Sequence, residues 1–205
     1  MVQPGVEEKD DGCVEYDRGK ARELCAAIRD YPNLVFEGHS TDYQTRYKLR
    51  ELVEDGFGIL NVGPALTYAL REGLFALSYI EDALLPKEKR SNFRQVLDAA
   101  MVEEPKYWKN HYFGSAGEIA LKREYSFSDR CRYYLANEKV RQSINMLMHN
   151  FDDGVPLNLL SQFMPIQYTA VRYGELENHP KALVLNRIEN TIDDYLYATR
   201  QKELK

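Results

Sequence analysis

Residues 33 to 45 read NLVFEGHSTDYQT, and several groups able to do chemistry are gathered there at the end of one apolar run. Leu34-Val35-Phe36 suits a buried strand, and Glu37, Gly38, His39, Ser40, Thr41 and Asp42 follow at once. Histidine titrates near neutrality and suits proton transfer, and Asp42 is placed to orient it. Polar side chains at the carboxyl end of a parallel strand are where α/β proteins place ligand chemistry. The plainer reading is a strand-to-helix loop in which Thr41 or Asp42 caps the next helix. Two further runs end in polar or turn residues: Gln3 follows Met1-Val2, and Asn61 and Gly63 follow Phe57-Gly58-Ile59-Leu60. If the three runs are parallel strands, Gln3, Glu37, His39, Ser40, Asp42, Asn61 and Gly63 converge at one end of the sheet as a candidate binding pocket.

The elements that must position these residues are legible as periodicity. Strands are expected at residues 1 to 4, 33 to 38 and 57 to 62. Between them, residues 18 to 30 put Leu24, Cys25 and Ile28 on one helical face, and residues 45 to 54 put Leu49, Leu52 and Val53 on another, stopped by Gly56. Strand, helix, strand, helix, strand implies parallel pairing through right-handed crossovers, with strands buried on both faces. From Ala65 a long helix carries Leu66, Leu70, Leu74, Leu77 and Ile80 in a stripe and ends before Pro86. Residues 91 to 102, 137 to 150 and 181 to 198 read as further helices, the last with Leu185, Ile188, Ile192 and Tyr195 on one face. SFSDRCRYY and LLSQFMPIQY read as capped turns or short helices. Three parallel strands leave two open edges and cannot close a barrel, so either the helices cover the sheet or the protein continues before Met1.

The 205 residues are 44% apolar and 12% aromatic, enough for a real core. Net charge is −5, with basic residues scattered among acids, which argues against nucleic acid or an anionic membrane as partner. No apolar run approaches about 18 residues and the amino terminus lacks a secretion signal, so a cytoplasmic protein is expected. Cys13, Cys25 and Cys131 are too far apart for a Cys-x-x-Cys pair and read as reduced thiols, Cys25 in the core.

Other constellations have structural readings. Ser126-Phe127-Ser128-Asp129-Arg130 could direct Ser and Arg at a phosphate, but it also reads as a helix start capped by Ser126 or Ser128, with Arg130 and Arg132 paired to acids. Tyr107, Trp108, His111, Tyr112 and Phe113 form an aromatic patch suited to a satellite core or an interface. His111, His149 and His179 have no ligand spacing. GxGxxG, GxxxxGK[ST] and GxSxG are all absent, which counts against a dinucleotide enzyme, a P-loop kinase and an α/β-hydrolase.

Taken in order, VQPGVE, FEGHSTDYQT, GILNVGPALTYALREGLFALSYIE, SFSDRCRYYL and LLSQFMPIQY resemble the carboxyl half of the non-catalytic subunit of D-tagatose-1,6-bisphosphate aldolase, the GatZ/KbaZ-like family. The resemblance implies an α/β fold: the last three βα units of a (β/α)8 TIM-type barrel over residues 1 to 85, followed by a helical extension over 86 to 205 packed on the barrel. It also interprets the strand ends. Class II aldolases of this barrel type hold zinc with histidines, one of them in a turn comparable to Gly38-His39-Ser40, another in a His-Gly block. That block here is Gln3-Pro4-Gly5, and proline offers no donor atom. His39 then reads as a hydrogen-bonding residue in a pocket without zinc, the metal belonging to a catalytic partner subunit. Many family members carry lysine where this chain has Asn61, a change that removes charge and keeps hydrogen-bonding capacity.

Two functions follow as expectations. One is an accessory, non-catalytic subunit that a class II tagatose-bisphosphate aldolase needs for activity and stability, in galactitol or N-acetylgalactosamine catabolism, with the catalytic subunit as partner and self-association as a further possibility. The other is a sugar-phosphate lyase or isomerase using His39 as acid/base and Asp42 as its orienting group. Relatives labelled tagatose-6-phosphate kinases are not matched by any nucleotide-binding loop in this chain.

Overall fold

The computed structural model describes residues 1 to 201 and is a helix-rich α/β protein. It has two compact units, Met1–Leu66 with the segment from Asn190 onward, and Thr67–Glu189.

In the first unit, β1 (Glu7–Glu8) and β2 (Cys13–Val14) form a short antiparallel hairpin, closed by Lys9 N donating to Gly12 O at 2.8 Å. Helix α1 (Arg18–Ala27) begins at Asp17, whose carboxylate accepts from Gly19 N and Lys20 N. Strand β3 (Phe36–Gly38), helix α2 (Arg46–Glu54) and strand β4 (Phe57–Leu60) follow. β3 and β4 pair in parallel, and Val2 bridges Gly38 in parallel on the other side of β3. The three apolar runs therefore lie side by side in one direction, with β3 in the centre. The ladder is shorter than residues 1 to 4, 33 to 38 and 57 to 62 would give.

This sheet has one covered face. Phe36, Phe57, Leu60 and Val2 pack with Val6, Tyr16, Cys25, Leu49 and Leu52, and complete burial of a side chain such as Phe57 or Leu52 is worth about 1.5–3 kcal/mol. Ala198 and Tyr195 of α9 (Pro180–Ala198) belong to the same cluster. The other face is open, correcting the expectation of strands buried on both sides: Leu34 and Val35 lie outside β3 and are 59% and 64% exposed, and Ile59 is 54% exposed. The physical cause is that only one layer of helices covers three strands, so apolar residues suited to a second layer remain in water. Gln44 holds the hairpin against the sheet's loops, accepting from Tyr16 N at 2.9 Å and donating to Val14 O at 2.9 Å.

The second unit is helical. Helix α3 (Pro64–Leu84) gives its first residues to the first unit and then runs through the second, where Leu74, Leu77 and Ile80 are buried as their spacing requires. The helices α4 (Phe93–Glu103), α5 (Ala116–Tyr125), α6 (Glu138–His149), α7 (Leu157–Phe163), α8 (Pro165–Arg172) and residues 180 to 189 of α9 complete it. Gly73 lets α3 approach α9, since a Cβ there would lie 3.3 Å from the Val184 backbone. One helix adds to those expected and one expectation is corrected. Residues 116 to 125 form a helix that was not expected, begun by a reciprocal Ser115/Glu118 capping box. In the part of α9 that belongs to this unit the buried apolar residues are Leu183 and Val184, whereas Leu185 is 47% exposed, and farther along Ile192 is 39% exposed; of the stripe read in sequence, Tyr195 does pack against the first unit's cluster.

Candidate functional site

The strand ends are built around two glycines. A Cβ on Gly38 would lie 3.1 Å from Phe57 Cδ1, so glycine lets β3 end against that ring without displacing it. Gly58 sits in an irregularity of the ladder: Phe36 pairs with Phe57, but Glu37 pairs with Ile59. The extra residue reverses the alternation, leaving Phe57 and Leu60 on the covered face and Ile59 on the open one. Asn61 follows Ile59's side, and its Nδ2 is 3.5 Å from Glu37 Oε1, a weak contact.

Beyond Gly38 the chain turns sharply, with Ser40 and Tyr43 in the left-handed region at φ 55° and 59°. Such a conformation costs a side-chain-bearing residue roughly 1–2 kcal/mol and is sustained here by a dense set of bonds. Asn61 N donates to Gly38 O at 2.9 Å; Asn61 O accepts from Thr41 N at 3.1 Å and from Thr41 Oγ1 at 2.9 Å. Tyr195 Oη donates to Thr41 O at 3.0 Å, and burial drives that phenol's pKa upward. Ser40 Oγ and His39 Nδ1 are joined at 2.7 Å, with the imidazole exposed.

Asp42 has a different task from the one expected. It is 1% exposed, and its carboxylate accepts from Gly63 N at 2.8 and 3.1 Å and from Ala65 N at 2.9 Å. These are donors at the start of α3, where Pro64 carries no N–H to satisfy. Burial pushes the Asp42 carboxyl pKa upward, and the Ala65 and Gly63 N–H groups oppose that shift. The cap of the next helix, α2, is instead Thr45, whose Oγ1 accepts from Lys48 N at 3.3 Å.

The expected residues thus separate into pairs. Glu37 meets Asn61, His39 meets Ser40, and Asp42 meets Gly63. Gln3 is exposed one residue beyond Val2, whose N donates to Glu37 O at 2.8 Å and whose O accepts from His39 N at 2.9 Å. An exposed imidazole, a carboxylate and an amide at adjacent strand ends can accept, donate and hold polar ligand groups. Among the described residues, no three His, Cys, Asp or Glu side chains are grouped closely enough to hold a metal ion. The bond between Thr41 and Tyr195 went unread in the sequence; 154 positions separate the two residues, with no local signal joining them.

In the second unit the SFSDR stretch is an acceptor site for α3. Asp129, at φ 47°, accepts from Arg71 Nε at 2.9 Å, Thr67 Oγ1 at 2.6 Å and Cys131 Sγ at 3.2 Å. The short 3₁₀ turn Arg130–Tyr134 has no side-chain cap, correcting the reading of Ser126 or Ser128 as a helix cap. Ser126 Oγ instead accepts from Ser128 N at 3.2 Å. Among the described residues neither Arg130 nor Arg132 pairs with an acid: Arg130 bonds His111 Nδ1 at 3.1 Å, and Arg132 donates to the Ser128 and Asp129 carbonyls. In the aromatic patch, Tyr107 stacks on Tyr133 and Trp108 on Tyr112, while Phe113 is 69% exposed.

Parallel strands whose polar carboxyl ends gather beside one open face, followed by a helical region, define a helix-rich α/β protein. The model of the family "D-tagatose-1,6-bisphosphate aldolase subunit GatZ/KbaZ-like" matches residues 1–200, and the chain belongs to that family. It is similar to the crystal structure of a probable tagatose 6 phosphate kinase from Sinorhizobium meliloti 1021, at 44% sequence identity and a TM-score of 0.92. The match covers 96% of this chain and 51% of that one, so the chain spans about half the length of that relative. No helix among the described residues is long and apolar enough to cross a membrane.

Proposed function

We propose that the chain acts as an accessory, non-catalytic part of a class II tagatose-bisphosphate aldolase, supporting the activity and stability of a cytoplasmic catalytic subunit that holds the zinc. In this reading Val2, β3 and β4 are the last three strands of a (β/α)8 barrel, and their open face, with Glu37, His39, Ile59 and Asn61, lines its interior. The observation that carries the non-catalytic reading is the commitment of Asp42. Asp42, the carboxylate read as the orienting partner of His39, is buried at the start of α3, accepting from Gly63 and Ala65; Glu37 Oε1 lies 3.5 Å from Asn61 Nδ2, and the His39 side chain bonds its neighbour Ser40. A histidine without an orienting carboxylate or co-ligands makes a poor acid/base relay and does not hold zinc. The strand ends of this chain therefore do not fit a zinc ion.

The rival reading, a sugar-phosphate lyase or isomerase, draws on the exposure of His39 beside Ser40 and the Glu37–Asn61 contact on the same sheet. Assay of the purified chain alone with tagatose and fructose 1,6-bisphosphates separates the two. No turnover alone, with activity gained only in the presence of a catalytic subunit and unaffected by His39→Ala, supports the accessory role. Turnover by the chain alone, abolished by His39→Ala, overturns it.

A further inference from the structure

Arg71, on α3, lines a cleft of about 280 Å³ in the second unit together with Tyr68, Phe75, Tyr79, Tyr125 and Phe163. The arginine is only 2% exposed, and its Nη2 has no hydrogen-bond partner among the described residues. A buried N–H left unmatched costs about 1–3 kcal/mol, and such groups in native proteins commonly mark a site that something else completes. Arg71 Nε donates to Asp129 at 2.9 Å and Nη1 donates to the Glu124 carbonyl. We propose that this cleft binds an unphosphorylated monosaccharide, at a site separate from the strand ends of the first unit.

The chemistry of the walls selects the ligand. Arg71 is matched by Asp129, and Arg187, which lines the adjoining cleft, is paired with Glu72, so no unmatched positive charge awaits a phosphate or carboxylate. A flat aromatic ligand gains most from a slot between parallel rings, with about 3.5–4 Å of carbon contact on each side. Tyr79 and Phe163 are the parallel pair, but their centroids are 6.2 Å apart at 14°, already stacked on each other. The Arg71 guanidinium covers Tyr68 at 4.1 Å, and the Arg94 guanidinium covers Tyr79 at 3.9 Å. A pyranose needs only one apolar platform, here Phe163, 37% exposed, and uses its hydroxyls on polar groups. The Tyr79 and Tyr125 hydroxyls, 2.6 Å apart at the surface, and the Glu72 carboxylate supply those groups.

NMR titration of the isotope-labelled full chain with a panel of free aldohexoses and ketohexoses, with glucose 6-phosphate and adenosine as comparisons, tests this. A hexose is expected to shift amide signals of residues 68 to 79 and around 163 in a saturable way, and glucose 6-phosphate and adenosine to bind no more tightly. Phe163→Ala is expected to weaken the hexose roughly tenfold, and Tyr125→Phe several-fold. Because Tyr125→Phe removes only a hydroxyl at a half-open surface, it carries the test if Phe163→Ala disturbs the fold. Absence of cleft shifts with every hexose, binding untouched by Tyr125→Phe, or preference for the phosphate or the nucleoside overturns the proposal. None of these outcomes bears on the aldolase assay, which reads bisphosphate cleavage and not free-hexose binding.

Discussion

Asp42→Ala removes the acceptor that organises the start of α3, and its cost can be worked from the bonds it makes. Two N–H groups lose their partner. That of Gly63 is on an exposed residue and can turn to water, whereas that of Ala65, 4% exposed, cannot. Loss of a helix-start acceptor costs about 0.5–2 kcal/mol, and a buried N–H left unmatched about 1–3 kcal/mol. Against this, the variant no longer buries a carboxylate whose pKa burial has raised. The expected net loss is about 2 kcal/mol, or a Tm lower by roughly 4–8 °C for a chain of this size. Asp42→Asn keeps one acceptor oxygen able to serve both donors, and is expected to cost about half as much. The pH dependence has a definite sign. A carboxyl whose pKa is raised on folding holds its proton more firmly in the native state than in the unfolded one. Its contribution to stability is therefore greatest at low pH and declines as pH rises through the shifted value. The stability of the natural protein relative to Asp42→Asn should accordingly increase as pH is lowered from 7 towards the carboxylate range. Urea titrations of the three proteins at several pH values measure both effects. An Asp42→Ala cost below about 0.5 kcal/mol, or a relative stability that falls on acidification, would refute the assignment of Asp42 as the buried acceptor of α3.

Breaking the buried Arg71–Asp129 pair with Asp129→Ala is expected to cost about 3–5 kcal/mol, since it strands a charge 2% exposed, while the double variant Arg71→Met/Asp129→Leu should recover part of that loss in urea melts. Native protein treated with a thiol reagent should label at Cys13 alone, slowly, because burial raises its thiol pKa with Glu15 adding to the shift; Cys131, fully buried with its pKa pushed well up by burial, and buried Cys25 should react only after denaturation, as mass spectrometry would show. Gly58→Ala would place a Cβ 3.1 Å from Val35 atoms and is expected to lose about 1 kcal/mol, less in a Val35→Ala background, a coupling that a double-mutant cycle reads directly. Ile59→Asp and Val35→Asp should reduce self-association of the chain in sedimentation runs with little loss of stability, since both residues are already largely exposed on the open sheet face.

The parallel order of Val2, β3 and β4 was legible because apolar runs alternate with amphipathic helical segments, and that pattern admits few topologies. The placement of individual side chains was not. Phe57-Gly58-Ile59-Leu60 looks uniformly apolar, and only the extra residue at Gly58 decides that Phe57 and Leu60 are covered while Ile59 and Asn61 share the open face. Asp42 looked like a partner for His39 because they are three positions apart; its donors lie 21 and 23 residues away, across a strand. The helix at 116 to 125 escaped notice because none of its residues is fully buried, and the only cue was the Ser115-Glu118 spacing. Arg71 did leave a trace, a lone basic residue inside an apolar helix, but its partner Asp129 is 58 positions on and read locally as a helix start. Candidate residues at the strand ends could thus be named from the chain alone, whereas the bonds dividing them into three separate pairs depend on contacts remote in sequence.

The accessory role is tested most directly by the thermal inactivation of a catalytic class II tagatose-bisphosphate aldolase subunit, co-expressed with and without this chain and followed by cleavage of tagatose 1,6-bisphosphate. Binding to the native catalytic subunit stabilises it by mass action, so the half-life of activity at elevated temperature should lengthen with the concentration of this chain, and His39→Ala should preserve the effect. A half-life and a cleavage rate unchanged at saturating concentrations of the chain would contradict the account.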